Sequence, residues 1–149
     1  MYVTVLGLHS WLRWIVLAAG IGVLITAIGA LSANARSQTR TELWHAAFIG
    51  LLDLQFLLGL SLYLWLSPIA AAARAAIGPA MKNPTLRFFG VEHVVTMLLA
   101  IVVAHVGRAR ARRKEGRPRA RTVVIAQALW LLLTLAAIPW PGLDVARPL

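Results

Sequence analysis

The sequence predicts an all-α membrane protein with four spanning helices in an up-down-up-down bundle. Hydrophobic residues make up 60% of the 149 positions and charged residues only 13%, and a soluble domain of this size could not bury so much apolar surface. Four apolar stretches are each long enough to cross a hydrocarbon core of roughly 30 Å. The segments between them are short, which makes consecutive helices antiparallel neighbours.

The predicted spans follow one another as a single domain. We place them at residues 5–31, 44–66, 88–106 and 122–138. The first ends at "SANARSQTRTE", the third at "GRARARRKEGRPRAR" and the fourth at "PWPG". Each of these segments contains polar, Gly or Pro residues, which are typical of helix ends and loops. The Ala-rich segment "SPIAAAARAAIGPAMKNPT", before the third span, is typical of a short interfacial helix that ends at Gly78–Pro79.

Lysine and arginine are distributed unequally between the two sides of this topology. The first and third loops contain Arg36, Arg40, Arg108, Arg110, Arg112, Arg113, Lys114, Arg117, Arg119 and Arg121, and the opposite side contains Arg74, Lys82, Arg87 and Arg147. Because short cytoplasmic loops are enriched in basic residues, we expect both termini outside the cytoplasm of a bacterial inner membrane. The basic loop 108–121 would contact anionic lipids. No free basic domain is available for nucleic acid, which argues against that partner.

The absence of cysteine and of known catalytic motifs limits the kinds of site that this chain can form. The chain has no cysteine, which excludes disulfides, thiolate metal sites, iron–sulfur clusters and covalent c-type haem. It also lacks a Walker loop, a nucleotide fingerprint, G-x-S-x-G and H-E-x-x-H. The sequence therefore leaves enzyme activity undecided, and with no classical catalytic motif it supports at most a redox carrier.

Ionisable residues inside apolar spans are costly in a bilayer, so each is a functional candidate. His9 and Arg13 share one face of the first span, and Glu92 and His93 lie near the outer end of the third. One interpretation is an Arg13–Glu92 ion pair that joins these two helices. In the other, Arg13 extends to the headgroups and Glu92 is neutral or pairs with His93.

A second set of polar residues lies towards the inner side. His45 opens the second span and His105 nearly closes the third, at similar depths. The simpler interpretation is that both imidazoles meet lipid headgroups at the membrane boundary. Asp53, deeper in the second span, is either a proton-binding group or a hydrogen-bonding link between helices.

The spacing of the histidines leads us to predict that the protein binds haem. His93 and His105 are twelve residues apart, or about 18 Å along one helix, and this separation suits two cofactors in opposite leaflets. Their partner ligands would be His9 outside and His45 inside, and without cysteine the haem must be of the b type. Arg13 would contact a propionate. Counted from the apolar edges, His9 lies about two turns shallower than His93, so one haem is favoured over two.

Three short motifs carry a family resemblance: "LHSWLRW", "RFFGVEHVVTMLLAIVVAH" and "IPWP". At these motifs the chain resembles a family of small bacterial four-helix membrane proteins, some of which are called cytochrome b-like. The resemblance implies a b-type haem or a quinone-linked electron carrier, with His9 and His93 as the carried-over positions. Some members of the family place a histidine near Asp53, and this chain departs from that pattern.

Three functional hypotheses remain open on the sequence. The first is a b-type cytochrome that passes electrons between a quinol and another redox protein. The second is a non-catalytic subunit of a larger membrane complex, or of a homo-oligomer, in which the polar residues join helices or partners. The third is a small transporter or proton-handling protein that uses Glu92, His93 and Asp53 as a relay.

Overall fold

The computed structural model describes residues 1–32 and 35–140, without the side chains of residues 35–38. Arg36 and Arg147, which entered the topology prediction, lie outside the described side chains. The described backbone is helical, with no strand, and four helices are long and apolar enough to cross a membrane. The predicted fold class is therefore confirmed: this is an all-α, multi-pass membrane protein.

Seven α-helices and two π-helical turns make up the described chain. They are α1 (Tyr2–Ala30), α2 (Ala35–Ser61), a π turn (Leu62–Leu66), α3 (Pro68–Ala75), α4 (Ile77–Ala80), α5 (Pro84–Arg87), a π turn (Phe88–Glu92), α6 (His93–Ala111) and α7 (Gly116–Ala137). The continuous spanning segments are Tyr2–Ala30, Thr39–Leu66, Pro84–Ala111 and Gly116–Ala137. Most exceed the predicted apolar runs, because Arg, Glu and Gln are good helix formers and extend a helix past its apolar edge.

The four spanning segments pack unevenly. Helix α1 packs along both α2 and α7, and α6 packs along α7, whereas α2 and α6 touch at few points. The core centres on Trp130 and Phe48, whose fully buried rings meet edge-on with centroids 4.6 Å apart. A Cβ at Gly20 would lie 2.3 Å from the Trp130 ring, so only glycine allows α1 and α7 to approach this closely.

The segment between α2 and α6 forms a cap over one end of the bundle, which also carries the N-terminus. Ser67 and Asn83 accept hydrogen bonds from the backbone at the starts of α3 and α5. Helix α3 ends at Ala75, and Gly78–Pro79 lies inside α4, so the predicted helix end at Gly78–Pro79 is wrong. We call this end of the bundle the cap end, and the end that carries the α6–α7 connection the basic end.

The two π turns at the cap end are linked to each other. The Tyr63 hydroxyl, from the first turn, donates to the Gly90 carbonyl of the second at 3.1 Å. Arg74 of α3 donates to the backbone carbonyls of Tyr63 and Leu64. The side chains thereby satisfy carbonyl groups at irregular helix ends, which would otherwise lack partners, and they join the cap to α2 and α6.

Candidate functional site

A cavity of about 290 Å³ lies in the cap-end half of the bundle, and all four spanning segments contribute to its wall. Ligand pockets range from about 300 to 1,000 Å³, so this cavity is at the lower end of that range. It forms where α2 and α6 separate. The apolar wall is interrupted by a few polar side chains from α1, α2, α6 and α7.

His9 and His93 face each other across this cavity. Their ring centroids are 6.5 Å apart and their planes are inclined by 73°, so the rings do not stack. The predicted depth difference of about two turns is therefore wrong. The apolar edge was a poor reference, because the spanning segment that carries His93 begins at Pro84 and the helix that carries His9 begins at Tyr2. Measured from those starts, the two histidines lie at similar depths.

The end of α7 orients the ring of His93. Nδ1 of His93 lies 2.8 Å from the Ala137 carbonyl oxygen, and a carbonyl can only accept, so Nδ1 is the donor. This carbonyl is available because it lies in the last turn of α7, where the helix ends and backbone carbonyls have no partner within the helix. In the neutral ring Nε2 then carries the lone pair, the arrangement that metal-binding histidines adopt.

His9 is held from α2. Nε2 of Gln55 donates to the His9 carbonyl at 3.0 Å and lies 3.4 Å from Nε2 of the His9 ring. One helical turn further along α2, Gly59 leaves room for that ring, since a Cβ there would be 3.0 Å from Cε1 of His9. Nδ1 of His9 is buried without a hydrogen-bond partner, so this ring has an unmet polar atom.

Unmet polar atoms concentrate around the cavity. Eight buried side-chain nitrogen or oxygen atoms lack a partner in the described part of the chain, and five belong to cavity-lining residues. They are His9 Nδ1, Arg13 Nε, Gln55 Oε1, Trp130 Nε1 and Thr134 Oγ1. A buried polar group without a partner costs about 1–3 kcal/mol, so these five atoms are the ones that ordered water or a polar ligand in the cavity would satisfy.

If this cavity held a haem, His9 and His93 would be the residues that bind its iron. With about 2 Å between iron and each imidazole nitrogen, two axial rings have centroids a little over 6 Å apart, close to the 6.5 Å between His9 and His93. No three His, Cys, Asp or Glu side chains converge among the described residues, whereas haem needs only two. Arg13 adds a cation to the cavity wall, suited to a carboxylate.

The structure does not bring His45 and His105 together. Nε2 of His105 lies 2.9 Å from Oδ1 of Asp53, whereas His45 is 2% exposed with its ring 6.3 Å from that of Phe48. This corrects the predicted inner ligand pair. His105 is bonded to a carboxylate on the surface of the bundle, and His45 packs inside it.

The predicted Arg13–Glu92 ion pair is also wrong. Oε1 of Glu92 accepts from Nε of Arg87 at 2.6 Å, and the Arg13 guanidinium lies over the Trp14 ring at 4.9 Å. The cause is the π turn between Arg87 and Glu92, because its i→i+5 geometry places residues five apart on one face. With Asp53 held by His105, the structure shows no direct contact between the two carboxylates of the predicted relay.

Sequence reasoning missed Gly59, Trp130 and Thr134, which lie in the cavity wall. Trp130 and Thr134 are one helical turn apart on α7, and this spacing was a signal that they share a face. Comparison of the chain with protein-family models, curated proteins and solved structures gives no match. The family resemblance at "LHSWLRW" and "RFFGVEHVVTMLLAIVVAH" therefore stays a prediction.

Proposed function

We propose that this chain is a membrane-embedded b-type haem protein that carries one haem, held by His9 and His93, and passes electrons singly. The observation that carries the proposal is the 6.5 Å separation of two imidazoles in the wall of a cavity rich in unmet polar atoms. Facing histidines on bundle helices are a recurrent way to hold haem iron.

Each residue has a separate part in this proposal. His93 presents Nε2 because Ala137 holds its Nδ1–H, and Gln55 fixes the backbone beside His9. Gly59 keeps space for the His9 ring, and Arg13 pairs with a propionate. A bound haem supplies one-electron redox chemistry at a potential that depends on axial ligands, hydrogen bonds and burial.

A single haem is proposed because the basic end has no second pair of facing imidazoles among the described residues. His105 is bonded to Asp53, and the buried His45 packs against Phe48. A haem between these histidines would require both to leave their present partners.

The test is the visible spectrum of the full chain, purified in mild detergent from haem-replete cells. We expect a Soret band, and a sharp α-band after reduction with dithionite. His9→Ala and His93→Ala should each lose the haem. His105→Ala is the matched control, because it removes an imidazole from α6 outside the cavity, and it should keep the full spectrum. A colourless protein with intact helical circular dichroism would refute the proposal, as would loss of haem in His105→Ala alone.

A quinone headgroup is the second candidate occupant. Trp130 and Arg13 offer buried N–H groups without partners in the cavity wall, and the carbonyl oxygens of a quinone accept such bonds. Organic extraction of the purified protein distinguishes the two candidates. Stoichiometric quinone without a Soret band would favour the quinone, whereas haem alone would leave it without support.

A further inference from the structure

Asp53 and His105 form a polar pair on the outside of the bundle. Their side chains are 50% and 44% exposed, although they bond to each other at 2.9 Å. Asp53 lies midway along the segment Thr39–Leu66, about 20 Å along the helix from either end. Asp53 is therefore exposed well inside the apolar run of α2, whereas His105 lies three residues before Arg108 on α6.

A polar pair in this position needs a hydrogen-bonding partner from outside the bundle. Hydrocarbon offers no hydrogen bonds, and ionisable residues within spanning helices almost always face the bundle interior, water or a partner. The neighbours on the exposed surface are apolar, and they include Leu54 and Leu57 on α2 and Val102 on α6. The pair is thus a polar site within an otherwise apolar surface formed by α2 and α6.

The hydrogen-bonding groups of this pair are complementary to those of the same pair in a second copy of the chain. Nε2 of His105 and Oδ1 of Asp53 bond to each other, so Nδ1 of His105 and Oδ2 of Asp53 are the remaining polar atoms of the pair. Nδ1 donates when it carries the ring proton, and Oδ2 accepts. Neither atom has a partner within the described chain. One donor beside one acceptor matches the same pair turned by 180°, which is the requirement for a two-fold contact.

Small residues precede Asp53 on the same face. Ala46 and Gly50 are exposed, and a Cβ at Gly50 would meet nothing within 4 Å. Small residues at this spacing allow membrane helices to approach closely. We propose that this face is the interface of a homodimer, in which α2 of each copy packs at Gly50 and the Asp53–His105 pairs exchange hydrogen bonds across the two-fold axis.

The dimer interface is separate from the proposed haem site, because neither Asp53 nor His105 lines the cavity. The absence of cysteine permits single-cysteine cross-linking of the full chain in native membranes. Gly50→Cys places a thiol near the proposed axis. Leu132→Cys is the matched control, on α7 and 66% exposed. Oxidation with copper phenanthroline should convert most of the Gly50→Cys protein to a disulfide-linked homodimer and little of the Leu132→Cys protein.

A second substitution tests the polar pair itself. Adding Asp53→Leu to Gly50→Cys should lower the cross-linked fraction about tenfold, the change expected for losing two hydrogen bonds between membrane helices. The monomer should stay folded, because the change removes a carboxylate from a lipid-facing surface. Native mass spectrometry of Gly50→Leu, whose side chain blocks the close approach, should show monomers where the unmodified protein shows dimers.

Three results would overturn the proposal. They are equal cross-linking at Gly50 and Leu132, an unchanged dimer when Asp53 is replaced by Leu, and a cross-linked product of Gly50→Cys that contains a different protein. If the Asp53→Leu variant fails to fold, the Gly50→Leu measurement decides alone, and a persistent Gly50→Leu dimer contradicts the interface.

Discussion

Gly59 lies directly opposite the ring of His9: a Cβ at Gly59 would stand 3.0 Å from Cε1 of the imidazole. This distance is shorter than ordinary van der Waals contact, so either the ring or the helix must shift if a side chain is added. The glycine therefore sets the position of His9 relative to His93 without touching His93.

Gly59→Val should consequently displace the His9 ring and lower the haem content of the purified protein well below stoichiometric. Gly7→Val is the control, because it makes the same change on α1 at a position where a Cβ meets nothing within 4 Å. The measurement is Soret absorbance per protein, with helical content checked by circular dichroism. Full haem occupancy in Gly59→Val would show that this glycine does not constrain the site.

Gly20→Ala should destabilise the bundle. The new methyl would lie 2.3 Å from the buried Trp130 ring, and overpacking of this kind typically costs about 1–3 kcal/mol. Gly7→Ala, also on α1 but with nothing within 4 Å, should be neutral or slightly stabilising. Thermal unfolding in detergent compares the two, and equal melting temperatures would contradict the tight α1–α7 contact.

The fold could be predicted because membrane insertion depends on properties that a single sequence displays. Apolar runs such as 5–31 and 122–138 are long enough to cross the hydrocarbon core, and each lies within or largely overlaps an observed helix. The helix ends could not be predicted from apolarity, since polar residues such as Thr39 and Arg110 continue the helical backbone. That error carried over to the relative depth of His9 and His93.

The Arg87–Glu92 pair should show only weak coupling. Its side chains are 41% and 48% exposed, and exposed pairs contribute about 0.2–1 kcal/mol. A double-mutant cycle of Arg87→Ala and Glu92→Ala should give a coupling in this range. The cycle of Arg13→Ala and Glu92→Ala should be additive within about 0.5 kcal/mol. A larger coupling for Arg13 than for Arg87 would reverse the assignment of partners.

The site was only partly predictable from the sequence. His9, Arg13 and His93 were recognised because charged or titratable residues in apolar spans are conspicuous. The partners of Glu92 and His105 were not, because pairing depends on helix rotation. The π turn brings Arg87 to Glu92, and the relative positions of α2 and α6 bring Asp53 to His105. Gly59 and Trp130 were missed because small and aromatic residues are ordinary components of any membrane helix.

The proposed orientation predicts the outcome of reporter fusions. A reporter after Glu115, in the arginine-rich connection, should be cytoplasmic, and one after Ala72, in α3, should be external, because basic residues are retained on the inner side. Paired alkaline phosphatase and fluorescent-protein fusions at each position make the measurement. Phosphatase activity after Glu115 would invert the topology and exchange the leaflets assigned to the two ends.

The π turns at the cap end have a consequence for how related chains could diverge. A π turn has one residue more than the α-helical turn that it replaces, so Phe88–Glu92 is equivalent to a single-residue insertion into a regular helix. Deleting one residue there would rotate α5 by about 100° relative to His93, separate Arg87 from Glu92 and break the Tyr63–Gly90 hydrogen bond. The contact between His93 and Ala137 lies beyond this point and would keep its register. The bond between His93 and Ala137 is thus insulated from length changes in the cap, whereas Phe88 and Phe89, whose rings lie 5.8 and 6.3 Å from that of His93, would move.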